Sequence, residues 1–102
     1  MTYLQFVHEC GKRLFHSEEP SWQFVRKILR EDLASRDEET GGGGLAGVFD
    51  DFCADVPAAE IAKKRFICSR TIYAQKQAFT LDGMIYAAQL GIISMKRREF
   101  ID

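Results

Sequence analysis

Apolar side chains recur at the spacing of one helical face almost from the first residue of the chain. Tyr3, Phe6, Val7, Cys10 and Leu14 predict an amphipathic helix over 3–15, opened by a capping box between Thr2 and Gln5. Trp22, Val25, Ile28, Leu29 and Leu33 predict a second over 20–34, with Lys27, Arg30 and Glu31 on its wetter faces. Pro20 suits the first turn of that helix, where no amide donor is needed. The pattern then stops, because 35–44 joins charge to four consecutive glycines and reads as a flexible linker. Leu45, Val48, Phe49, Phe52, Cys53 and Val56 restart the helical period, and Pro57 should end it, since the residue before a proline is pushed out of helical geometry. Two short helices over 58–65 and 70–79 follow. A further one is expected over 83–90, between an Asp82 cap and Gly91, and Ser94 caps a last basic turn over 95–100. No stretch alternates apolar and polar residues for long enough to make a strand. The expected fold is therefore an all-α, single-domain bundle of about five to seven helices. Its parts are an acidic helical hairpin over 1–34, the Gly-rich linker over 35–44 and a basic helical part over 45–102.

Composition agrees with one small core: 102 residues with 46% hydrophobic and 28% charged content suffice for a domain that needs no disulfide staples. No apolar run approaches the roughly 18 residues of a membrane span, and the first residues lack the basic-then-apolar order of a secretory signal. Cys10, Cys53 and Cys68 are odd in number and not closely paired, so they are expected as reduced thiols in a cytoplasmic protein. Charge changes the picture more. Residues 1–55 carry 6 Lys/Arg against 11 Asp/Glu, and residues 56–102 carry 8 against 4, so a net charge of −1 conceals an acidic and a basic half. Such a split hints at an anionic partner for the basic half.

The constellations that would signal chemistry fail on context. Gly42, Gly44 and Gly47 have the G-x-G-x-x-G spacing, but they follow an acidic, polar stretch instead of a buried strand, and no Lys-Ser/Thr follows them. His8 and His16 share a helix at a separation of eight residues, too far apart for two ligands on adjacent turns. Asp50 and Asp51 point to different sides of a helix and cannot act as acid and base on one bond. No nucleophile motif is present. The chain is expected not to be an enzyme, and to need neither metal nor cofactor.

One segment is informative. Residues 58–79 read AAEIAKKRFICSRTIYAQKQAF, and 60–73 resemble the helix-turn-helix core of bacterial DNA-binding proteins, E-I-A-x-x-x-G-I-S-x-x-T-I-Y. Ile61, Ala62, Ile67, Thr71, Ile72 and Tyr73 carry the resemblance. It implies that Ala62 lets two helices approach, Ile67 plugs the corner, Ile72 anchors the recognition helix and Ser69 caps it. Arg65 stands where the family has an apolar residue, Phe66 where it prefers glycine, and Gln75 where it buries an aliphatic chain. A bulky residue at the turn position resists a positive backbone torsion, at a cost of about 1–2 kcal/mol. Lys63, Lys64, Arg65, Arg70 and Lys76 cluster in the segment, and Lys96, Arg97 and Arg98 form a second basic patch. Phosphate contacts would come from these cations, and base reading from Ser69, Arg70, Tyr73 and Gln77. The expected DNA-binding residues are thus Lys63, Lys64, Ser69, Arg70, Tyr73, Lys76 and Gln77, in a small transcription regulator.

Eight phenylalanines, three tyrosines and Trp22 are many for a small helical domain. Surplus apolar faces on the first two helices would imply a homodimer or, in the competing reading, a protein-interaction module that binds another protein as adaptor or inhibitor. The two classes differ in salt response: binding to DNA weakens steeply as salt rises.

Overall fold

Thr2 and Gln5 close the predicted capping box, Gln5 N–H donating to Thr2 Oγ1 at 3.2 Å and Thr2 N–H to Gln5 Oε1 at 2.8 Å, and so start helix α1, Tyr3–His16. This computed structural model describes residues 1–95. The Arg26 guanidinium donates to Phe15 O and Ser17 O at 3.0 and 3.1 Å, which satisfies carbonyls at the end of α1 and fixes the corner into α2, Pro20–Thr40. Helix α3 is Leu45–Cys53, α4 is Ala58–Arg65 and α5 is Ser69–Gln89. Among the described residues there are five helices and no strand.

The linker expected over 35–44 is replaced by structure. Its first six residues continue α2, and Arg36 reaches Asp32 at 2.8 Å and Asp82 of α5 at 3.6 Å. Only the glycines turn the chain. Gly41 ends α2 in the left-handed region (φ 81°) and Gly44 precedes α3 there as well (φ 72°), a conformation open to glycine at little cost. The Asp37 carboxylate then accepts from Leu45 N–H at 2.8 Å and Ala46 N–H at 3.0 Å. A carboxylate one helix away thus caps α3, which its own preceding glycine cannot do.

The second correction concerns α5. The expected break between 79 and 83 does not occur, and one helix of 21 residues replaces two. Asp82 does not cap; from mid-helix it pairs with Arg36. Gly83 is interior because Leu14 lies against it: a Cβ there would sit 2.6 Å from Leu14 Cδ2. Gly91 behaves as expected. It is left-handed (φ 72°), and Ile92 N–H donates to Ala87 O at 2.8 Å to close the end of α5. The expected turn over 95–100 falls almost wholly outside the described residues, as do Lys96, Arg97 and Arg98.

Helix α5 touches each of the other helices and forms the axis of the globule. Its C-terminal half supplies Phe79, Met84 and Ala87 to a core shared with Leu14, Phe15, Trp22, Leu29, Phe49, Phe52, Ile61 and Ile72. Phe15, Phe49, Phe52 and Phe79 form a cluster of tilted and edge-on rings with centroids 5.5–6.2 Å apart. Cys10, Leu14, Phe15, Trp22, Val25, Leu29 and Leu33 of α1 and α2 are buried in this core, whereas Leu4 and Phe24 on the same two helices stay exposed, at 75% and 51%.

Candidate nucleic-acid interface

The α4–α5 corner is built from its turn. Phe66 ends α4 with φ 57° and ψ 40°, the left-handed conformation for which the resemblance prefers glycine. Ile67 N–H donates to Ala62 O at 2.9 Å, and Phe66 N–H reaches Lys63 O at 3.5 Å, which satisfies the last carbonyls of the helix. The side chain of Phe66 is 97% exposed, so the backbone strain is not offset by packing. Inside the corner Ile61 and Ala62 are buried and Ile72 is 2% exposed. Ile67 departs from its expected role as plug: it is 37% exposed at the margin of the corner.

Arg65 shows why an arginine stands at a usually apolar position. Its guanidinium donates to Asp51 Oδ2 at 3.2 Å and lies over the start of α3, where a Cβ on Gly47 would come within 2.7 Å of it. Gly44 and Gly47, two of the three residues of the apparent dinucleotide fingerprint, are the ones beside this side chain. Asp51 also faces Lys64 at 3.6 Å. Gln75 is half-buried.

The expected DNA-contacting residues divide into groups. Arg70, Tyr73 and Gln77 are exposed and follow each other at helical spacing on one face of α5, Tyr73 at 61%. Ser69 is exposed too, but it is the first helical residue; Cys68 takes the cap position and makes no side-chain cap bond, so the expected Ser69 cap is not formed. Lys63 and Ser69 border one shallow hollow with Phe66 and Ile67. Lys64 is exposed but turned toward Asp51. Lys76 stands apart from the other cations: its ammonium lies over the Phe15 and Phe52 rings, 5.6 and 5.4 Å from their centroids. Residues 69–78 thus expose most of their side chains, whereas 79–89 hold the core.

The sequence reading missed a ladder of nitrogen-bearing side chains on α1. His8, Lys12 and His16 follow at four-residue spacing and line one groove of about 400 Å³ with Lys76, Gln77 and Thr80 of α5. The ladder is visible in the sequence as three residues at four-residue spacing. Among the described residues no group of three or more His, Cys, Asp or Glu is placed to hold a metal ion. Burial raises the Cys10 thiol above its ordinary pKa and pushes Cys53 up to about 11, so neither is a ready nucleophile near neutrality. Among the described residues no helix is long and apolar enough to cross a membrane. Compared with protein-family models, characterised proteins and solved structures, the chain gives no match.

Proposed function

We propose that this chain is a small DNA-binding regulator that docks α4 and the N-terminal half of α5 on a duplex, with no chemistry of its own. The observation that carries the reading is the division of α5. Its second half anchors the helix in the core, while Arg70, Tyr73 and Gln77 stand exposed on one face of its first half, behind a turn that has the left-handed corner of the motif. A helix held rigidly at one end and free at the other can enter a major groove without losing its own packing. Arg70 and Gln77 carry the donor and acceptor groups that read base edges, and Lys63 beside Ser69 suits a flanking phosphate. Lys64 and Lys76 lie to the side of this face, Lys64 3.6 Å from Asp51 and Lys76 over the Phe15 and Phe52 rings.

The test is a mobility shift with mixed genomic fragments at two salt concentrations. Binding should weaken steeply with salt. Arg70→Ala should lose discrimination between sequences, and Lys63→Ala should weaken all of them alike. Binding that ignores salt, or that is untouched by both variants, would refute the proposal.

A second reading, a module that binds another protein, is favoured by a stripe on the outer face of α5. Ala74, Ala78, Leu81, Ile85 and Ala88 alternate at steps of four and three, the spacing that suits a partner helix, and Ile85 is 48% exposed. Self-association, the homodimer expected from the sequence through the first two helices, would be served by this stripe as well as by the exposed Leu4 and Phe24. Light scattering separates the cases: a dimer that Ile85→Lys dissociates belongs to the stripe, and a monomer at all concentrations removes the homodimer.

A further inference from the structure

The acidic half of the chain carries the ladder of His8, Lys12 and His16, and its position relative to α5 is set by two glycines. A Cβ on Gly11 would lie 3.2 Å from Thr80 Oγ1, and one on Gly83 would meet Leu14, so α1 and α5 approach more closely than larger residues would permit. This approach sets the α1 ladder of His8, Lys12 and His16 directly beside Lys76 and Gln77. The groove is lined by apolar Leu4, Val7 and Phe15 besides the polar groups, and none of its lining residues is a carboxylate. Lys76 is fixed there by the Phe15 and Phe52 rings. The charged groups facing the ladder from outside are Glu9, 3.6 Å from Lys12, Asp55 at the α3–α4 corner, 3.3 Å from His16, and Lys76 from α5. His8 lies beside Gln77 and Thr80 of α5, which are uncharged.

From this geometry we infer that the α1 ladder is a second phosphate-binding element, which extends the DNA footprint from the α4–α5 corner across Gln77 onto α1 and makes duplex binding proton-linked. The inference rests on the reading of the chain as a DNA-binding protein. Gln77 joins the two surfaces, since it shares a face of α5 with Arg70 and Tyr73 and also lines the groove. A phosphate in the groove would meet Lys12 and Lys76 at any ordinary pH. It would also meet the imidazoles of His8 and His16, which donate to it from both ring nitrogens when protonated. A phosphate favours the protonated ring, so binding takes up protons and tightens as pH falls. The sum over residues 1–55 hides this face, which only Glu9 and Asp55 among the carboxylates of that half border.

The experiment measures fluorescence anisotropy of a labelled mixed-sequence duplex with the full chain, across a salt series at about pH 6 and about pH 8. Wild type should bind several-fold more tightly at the lower pH. Lys12→Ala should lower the slope of log affinity against log salt by about 0.9, so that its deficit against wild type narrows about 3.5-fold for each fourfold rise in salt. The double variant His8→Gln, His16→Gln should abolish the pH response while leaving the salt dependence at about pH 8 unchanged. Far-UV circular dichroism and Tm show that each variant is folded. If wild type and the double variant share one pH profile and Lys12→Ala keeps the full slope while Arg70→Ala still weakens binding, the α1 footprint is wrong and the DNA reading stands. If wild type binds no duplex at either pH, both fall together.

Discussion

Phe66→Gly tests the corner on which the interface depends. Phe66 holds φ 57° with its side chain 97% exposed, so removing the ring forfeits almost no burial. A non-glycine residue in the left-handed region costs roughly 1–2 kcal/mol, which glycine recovers. Glycine also frees the unfolded chain, an opposing loss of about 0.4–1 kcal/mol. The balance is a gain of about 0.5–1 kcal/mol, which for a domain of this size raises Tm by about 3–6 °C. Phe66→Ala separates backbone from side chain, because alanine retains the strained torsion and should leave stability within about 0.5 kcal/mol of wild type. Thermal denaturation followed at the helical circular dichroism band measures all three proteins. A fall in Tm for Phe66→Gly, or an equal rise for Phe66→Ala, refutes the left-handed turn and with it the placement of α5 against α4.

Other positions give equally direct outcomes. Gly83→Ala places a methyl group against Leu14 and should destabilise by about 1–3 kcal/mol, whereas Ala78→Ser on the exposed side of the same helix should be nearly neutral; chemical denaturation reads both. Asp37→Ala removes the acceptor of the Leu45 and Ala46 amides and should cost about 1–2 kcal/mol, while Glu38→Ala, exposed on the next residue, should cost little. Cys53 is held above the thiol range by burial, so the unfolded chain loses that proton first as pH rises. Stability should therefore decline from about pH 9 toward about pH 11, less steeply in Cys53→Ala, as followed by urea midpoints. Cys68 is the exposed thiol of the three and should react first with N-ethylmaleimide; its adduct, at the start of α5, should weaken duplex binding without lowering Tm.

The helical stripes were legible because burial in this fold follows local period. Cys10 and Leu14, Trp22 to Leu33, and Val48 to Phe52 all lie where a single helical face puts them. What was not legible depends on contacts between distant residues. The glycine run looks like a linker until Asp37 is seen eight and nine residues ahead of the amides it caps, and nothing in local composition marks that carboxylate out from Glu38 or Glu39. The break expected before Gly83 followed from glycine's low helix propensity and the capping habit of aspartate. Both preferences were overridden, by Leu14 needing the space and by Arg36 taking Asp82. Within the candidate interface, the corner residues Ile61, Ala62 and Ile72 were placed by motif spacing, but the orientation of Lys64 and Lys76 was not. Each is drawn aside by a partner from another helix, Asp51 for the one and the Phe15 and Phe52 rings for the other.

The continuity of α5 ties the proposed function to the core in a way that two short helices would not. With a break near 80, a recognition helix over 70–79 would rest on Ile72, Phe79 and α4 alone. As one helix it is continuous with Met84 and Ala87 and held by the Arg36 bridge to Asp82, so its direction is fixed by α1 and α2 as well as by α4. A helix fixed in this way loses little conformational entropy when it binds, and affinity then depends on its exposed side chains. Substitutions at Arg70, Tyr73 and Gln77 should accordingly change duplex affinity while leaving Tm in place, and loosening the far end with Gly83→Ala should weaken binding although residue 83 is buried and touches no ligand. A Gly83→Ala protein that is destabilised yet binds with full affinity, at a temperature where it is folded, would show that the N-terminal half of α5 orients itself without the core.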